Sequence, residues 1–104
     1  MNVYDEAHSL AQAIKESEEF KQFKAQEELV NANPDLKKMI DDYQSKQMEV
    51  QAAQMMGKDT QEEMAQLQAA AAIIMSDPTA GNYLQCQMRY AIMMQDVLQI
   101  ISEV

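Results

Sequence analysis

The side chains that could perform chemistry are few, and their spacing does not favour a reaction. His8 is the only histidine and Cys86 the only cysteine, so we expect no His-plus-His or His-plus-Cys ligand set within one chain. His8 lies beside the apolar face of a predicted helix, and Cys86 is flanked by Tyr83, Tyr90 and Met93. These settings predict a partly exposed imidazole and a buried, inert thiol.

Acidic residues stand next to each other at several places, among them Glu18-Glu19, Asp41-Asp42 and Glu62-Glu63. Adjacent side chains on a helix point about 100° apart, so none of these three carboxylate pairs converges on one ion. The sequence also contains no glycine-rich phosphate loop and no Ser-His-Asp or Cys-His set. We therefore predict a protein that is not an enzyme, with no catalytic residues, no cofactor and no metal site.

Methionine is abundant, with 10 residues in the chain. Three interpretations are open: adaptable packing in a core, a recognition surface that accepts a partner, or a soft-metal site. Met55-Met56 and Met93-Met94 are adjacent pairs within predicted helices. Soft-metal binding favours Met-x-x-Met clusters on exposed segments, so the pattern favours packing or recognition.

The composition predicts one small all-α domain that spans residues 1–104. Hydrophobic residues make up 47% of the chain and charged residues 24%, with only two glycines and two prolines. This balance is typical of a globular protein, and the shortage of turn residues argues against a β-sandwich or barrel. Ala, Gln, Glu, Lys, Leu and Met dominate, and all of them favour helix.

The net charge and the lengths of the apolar runs indicate whether the protein binds nucleic acid or enters a membrane. The net charge is −9 and no basic patch is present, so we predict no direct binding to nucleic acid. The longest apolar run, Ala69 to Met75, is far too short to cross a bilayer, and the first ten residues do not resemble a signal peptide. We expect a cytoplasmic, soluble protein without membrane insertion.

Capping residues divide the chain into five predicted helices. Ser17, Asn33-Pro34 and Asp77-Pro78 are start signals, Thr60 with Glu63 matches a reciprocal capping box, and Gly57 suits a helix end. The helices are expected at about Val3–Glu16, Glu18–Asn31, Pro34–Met56, Gln61–Met75 and Pro78–Glu103. The short connection after the third helix predicts an antiparallel hairpin with the fourth, in a bundle with long third and fifth helices.

The fifth helix carries two apolar stripes instead of the usual one. One stripe can pack on the hairpin of the same chain, whereas the other needs a second chain or stays exposed. The alternative is that the first two helices cover it. We predict a homodimer or larger assembly whose oligomer or partner interface comprises Leu84, Met88, Ala91, Met94, Leu98 and Ile101. The other stripe comprises Tyr83, Cys86, Tyr90, Met93 and Val97.

Several of these positions resemble the YlbF/YmcA family of small helical proteins of Gram-positive bacteria, which includes YheA-like members. The likeness covers nearly the whole chain and rests on Ser17-Glu18-Glu19-Phe20, Asn33-Pro34, Tyr43 with Gln47, Gln54 with Gly57-Lys58, and Asp77-Pro78 with Tyr83-Leu84. The resemblance implies an all-helical, oligomeric, non-enzymatic protein. Some members bind an iron–sulfur cluster through several cysteines, which a chain with Cys86 alone does not reproduce.

Two functions from different classes follow. The first is an adaptor or regulatory protein that associates with itself and with another protein. The resemblance implies that such a protein influences competence, sporulation, biofilm formation or mRNA processing, with a related helical protein or a ribonuclease as partner. The second is a helical bundle that senses a small ligand or metal in an interior cavity lined by methionine and tyrosine.

Overall fold

The computed structural model describes residues 2–104, and these residues form five α-helices and no β-strand. The third and fifth helices are the longest, with 22 and 25 residues. The predicted all-α fold class is therefore confirmed. The helices are α1 (Val3–Glu16), α2 (Glu18–Asn31), α3 (Pro34–Met55), α4 (Gln61–Met75) and α5 (Pro78–Ser102).

Three of the predicted caps form as the sequence indicates. The Ser17 hydroxyl donates to the carbonyl of Ile14 at 2.6 Å and accepts from the amide that lies three residues later, so one residue ends α1 and begins α2. Asn33 Oδ1 accepts from the amide three residues later, at the start of α3. Asp77 Oδ1 accepts from two amides in the first turn of α5, at 2.9 and 3.0 Å. Each bond that these side chains accept satisfies an amide that the helix itself leaves unpaired.

The capping box predicted for α4 is wrong. Thr60 precedes the helix but its side chain makes no capping hydrogen bond. Its buried hydroxyl instead accepts from Gln54 Nε2 at 3.1 Å, which links the last turn of α3 to the start of α4. Asp59 Oδ1 accepts from the amide of Gln61 in its place.

The described residues form two compact units. One is Leu29–Asn82, which contains the whole of α3 and α4. These two helices pack against each other and are joined by residues 56–60, where Gly57 has a φ of +78°. Glycine adopts this left-handed conformation without steric cost and ends α3 as predicted. The predicted hairpin is present, and its core is formed by Leu36, Ile40, Val50, Leu67 and Ile74.

The other unit consists of the described part of Met1–Glu28 together with Tyr83–Val104. It contains α1, most of α2 and most of α5. Its side chains are far less covered than those of the hairpin: Cys86 is buried, and α1 has no buried residue. This unit therefore holds most of its apolar material at or near the surface. That residues 1–104 act as one domain stays a prediction.

Candidate functional site

The side of α5 that carries Tyr83 and Tyr90 is covered by aromatic rings of α2. Phe23 stacks on both tyrosines, with centroid distances of 5.8 Å to Tyr83 and 5.3 Å to Tyr90. Phe20 lies 5.8 Å from Tyr90 in a tilted arrangement. Cys86 is buried on the same side of α5. Of the two stripes, this is the one that α2 of the same chain contacts.

Polar side chains lie at the edge of this aromatic cluster. The ammonium group of Lys24 lies 5.7 Å from the ring centroid of Phe20 and 5.8 Å from that of Phe23, which is cation–π distance. Arg89 on α5 donates to the side-chain carbonyl oxygen of Gln22 on α2 at 3.4 Å. The contact between α2 and α5 thus combines apolar stacking with charges that remain in solvent.

The predicted interface residues lie on a different side of α5, and most of them are uncovered. Met88 is 65% exposed, Leu98 59% and Ile101 51%, and Ala91 is exposed as well. Leu84 and Met94 are half-buried at the margin of the stripe. The structure therefore places all six on one open face of a single helix, which we call the α5 stripe: Leu84, Met88, Ala91, Met94, Leu98 and Ile101. That this face is an interface stays a prediction.

Further exposed apolar residues lie in the same unit, outside the predicted interface. Val3 and Tyr4 on α1 are exposed, as are Ile92 and Ile100 on α5. The apolar spacing of α1 was visible in the sequence, because Val3 and Leu10 fall on one helical face. Spacing alone could not show that Val3 stays exposed while Leu10 is half-buried, since an amphipathic helix usually packs on its own core.

The hairpin unit has an apolar groove between α3 and α4. The groove has a volume of about 420 Å³ and is open to solvent along one side. Charged and amide side chains, among them Asp42 and Lys46, stand at its rim. Its apolar lining consists of Met39, Tyr43, Leu67, Ala70, Ile73 and Ile74. Methionine and tyrosine thus line a groove at the surface of this unit. The ligand-sensing hypothesis instead predicts an interior cavity.

The residues considered for chemistry are dispersed. His8 is exposed on α1, whereas Cys86 is buried on α5. Within residues 2–104, no three histidine, cysteine, aspartate or glutamate side chains are arranged to hold a metal ion. The acidic pair Asp41-Asp42 is engaged by the lysines four residues earlier, in exposed ion pairs of 3.3 and 3.2 Å. Across the described helices, none is both long enough and apolar enough to span a bilayer.

Comparison with known proteins places the chain in a family. The family model described as "Control of competence regulator ComK, YlbF/YmcA" matches residues 3–104. The chain belongs to the YlbF/YmcA family. Its resemblance to this family is therefore confirmed, and the family description links its members to regulation of the competence regulator ComK.

Similar proteins occur in several bacteria. A UPF0342 protein of Symbiobacterium thermophilum is 39% identical over 102 residues, covering 97% of this chain and 91% of the relative. A UPF0342 protein of Bacillus licheniformis is 33% identical over 104 residues, covering 99% of this chain and 89% of the relative. The solved structure of a protein of unknown function (DUF964) from Bacillus stearothermophilus superposes with a TM-score of 0.82 at 25% identity, covering 97% of this chain and 90% of that one.

Proposed function

We propose that this YlbF/YmcA-family chain is a non-enzymatic regulatory protein that acts by association with a second copy of itself and with another protein. The family's link to the control of ComK supports a regulatory role. By the same resemblance, the processes influenced are competence, sporulation, biofilm formation or mRNA processing. A related helical protein or a ribonuclease is the proposed partner.

The observation that carries this proposal is the open α5 stripe. Its large apolar side chains Met88, Leu98 and Ile101 are each more than half exposed. Exposed apolar area costs roughly 25 cal/mol per Å², and monomeric proteins seldom keep a long apolar face in water. Since α2 covers the other side of α5, a second chain is the cover that the α5 stripe requires.

The self-association is tested by the mass of the protein in solution. One chain has a mass of 11.8 kDa, and we expect light scattering to give twice this value or a higher multiple at micromolar concentration. Leu98→Lys places a charge in the stripe and should shift the mass towards one chain. Leu29→Lys is the matched control, because Leu29 is a helical leucine of similar exposure (55% against 59%) in the other unit. A monomeric wild-type protein would overturn the proposal.

The partner is tested by recovery of the tagged chain from nuclease-treated native extract. We expect the wild-type chain and the Leu29→Lys variant each to recover a second protein in stoichiometric amount with the tagged chain. The Leu98→Lys variant should lose it or retain much less. Recovery of the bait alone in every case would contradict the adaptor role and leave a self-associating protein.

The groove between α3 and α4 favours a second candidate function, the sensing of a small ligand. Its volume of about 420 Å³ is within the range of ligand pockets, and Tyr43 and Met39 line it. Titration with haem or copper(I), followed by absorbance, tests this function. Saturable binding that Ile73→Lys abolishes would support a site in the groove, because Ile73 lines it. No saturable spectral change would dismiss sensing of these two ligands.

A further inference from the structure

We infer that the α5 stripe binds the α5 stripe of a second copy in antiparallel orientation, about a two-fold axis that passes between Ile92 and Met93. This inference rests on the proposed self-association and specifies its geometry. It assigns a contact residue in the second copy to every residue of the stripe except Met88, which flanks the contact.

The first step is the spacing of the stripe. Five residues of the stripe, all except Met88, form a regular series when Gln87 is added to them. The number of positions from one member to the next then alternates between three and four. The series is Leu84, Gln87, Ala91, Met94, Leu98 and Ile101. Alternation of three and four residues is the pattern of the seam between two helices that coil around each other with a left-handed twist. The stripe can therefore stay in contact over its full length with a second helix that coils gently around it.

The second step is the symmetry of this spacing. Leu84 and Ile101 are equally distant from the midpoint between residues 92 and 93, and so are Ala91 and Met94. A two-fold interface requires that when one residue contacts another in the second copy, the reverse contact also forms. An antiparallel pair centred on this midpoint meets that condition at every position of the seam. Leu84 would contact Ile101 of the second copy, and Gln87 would lie beside Leu98 of the second copy.

The third step concerns side-chain size at the centre. Antiparallel pairing places the small Ala91 opposite the large Met94 of the second copy, once on each side of the axis. Facing layers that combine a small and a large side chain fill space without voids or strain. A parallel pair would set alanine against alanine and methionine against methionine, which leaves a gap in one layer and crowds the next. Antiparallel helix dipoles also attract, whereas parallel ones repel.

The fourth step is charge, which selects a second copy over a basic partner. The chain has a net charge of −9, so two copies repel wherever their carboxylates meet. The α5 stripe has none: between residues 84 and 101 the charged residues are Arg89 and Asp96. Both fall about half a turn away from the seam, and Arg89 contacts Gln22 on α2. A basic segment of another protein would instead favour the acidic faces of the chain.

Disulfide formation between single-cysteine variants tests the orientation directly. In a Cys86→Ala background, Leu84→Cys and Ile101→Cys are prepared with tags of different mass, mixed as folded full-length chains, and oxidised mildly. Antiparallel pairing predicts a mixed disulfide in roughly tenfold excess over either homodisulfide. In that geometry the two copies of residue 84 lie about 26 Å apart, too far for a bond.

A second pair keeps the test valid if one variant fails to fold. Gln87→Cys mixed with Leu98→Cys should also give the mixed disulfide. Met48→Cys serves as the control, because Met48 is exposed on α3 and should not react with any cysteine of the stripe.

The outcomes separate this inference from the proposed function. Homodisulfides of Leu84→Cys alone would show a parallel pair, and would overturn the inference while self-association stands. A protein of dimeric mass that forms no disulfide with either pair would place the dimer contact elsewhere and overturn the inference. A monomeric mass would overturn both.

Discussion

Phe23 of α2 lies parallel to Tyr90 of α5, with ring planes 8° apart and centroids 5.3 Å apart. This contact determines which side of α5 the same chain covers. Ala91, the next residue, is rotated by about 100° around the helix and is exposed. The stacking of Phe23 on Tyr90 therefore turns the stripe that contains Ala91 towards solvent.

Loss of the Phe23 ring should destabilise the unit that contains α2 and α5. We expect Phe23→Ala to lower the free energy of unfolding by about 2 kcal/mol, less than for a fully buried phenylalanine because Phe23 is half-buried. Lys24→Ala removes the cation above the rings together with a solvent-exposed ion pair to Glu27, and should cost only about 0.5 kcal/mol because exposed ion pairs contribute little. Urea unfolding, followed by circular dichroism at a fixed protein concentration, measures both. Equal losses for the two variants would contradict the role given to the ring.

The helices could be predicted from the sequence because each start signal acts locally. Ser17, Asn33 and Asp77 accept hydrogen bonds from amides two or three residues away, so a short window of sequence contains all the information. Thr60 did not follow its local pattern. Its hydroxyl is bound by Gln54, six residues earlier on the other helix of the hairpin, and no window limited to the start of α4 includes that partner.

The start of α4 gives a prediction that distinguishes the two arrangements. In a capping box, Glu63 would contribute more to the free energy of unfolding than Glu62, although both are acidic residues of the same first turn. Since Thr60 is bound by Gln54 instead, Glu62→Ala and Glu63→Ala should each cost about 0.5 kcal/mol, from the helix dipole alone. Gln54→Ala should cost about 1 kcal/mol, because it leaves the buried hydroxyl of Thr60 without its donor. Thermal or urea unfolding compares the three variants, and a distinctly larger loss for Glu63→Ala would restore the capping box.

The two stripes of α5 could be found from the sequence, but their different environments could not. Both have apolar residues at helical spacing, so periodicity gives them equal weight. The difference comes from residues more than 60 positions away: Phe20 packs at a tilt against Tyr90 of one stripe, and Phe23 stacks on it. A single sequence does not state which distant aromatic residues meet, and it therefore could not show that Leu98 stays exposed.

A charge at Met88 should weaken self-association, whereas the same charge on another exposed methionine should not. Met88 lies on the α5 stripe and is 65% exposed, and Met48 on α3 is 70% exposed. We expect Met88→Lys to raise the dissociation constant of the dimer by roughly threefold to tenfold, because an ammonium group that flanks an apolar contact must be partly desolvated. Met48→Lys should change it less than about twofold. Sedimentation velocity over a concentration series measures both constants. Equal effects would show that the change in net charge, and not the stripe, controls assembly.

Salt should strengthen the association. Each copy has a net charge of −9, so two copies repel through solvent, while the α5 stripe contributes no charged group to their contact. Raising the salt concentration from about 0.05 M to about 0.5 M shortens the Debye length to about 4 Å and screens this repulsion. The dissociation constant should therefore fall, by roughly twofold to tenfold. An interface held by ion pairs responds in the opposite direction, so sedimentation at the two salt concentrations decides between an apolar and a charged contact. A constant that rises with salt would contradict the α5 stripe as the contact between copies.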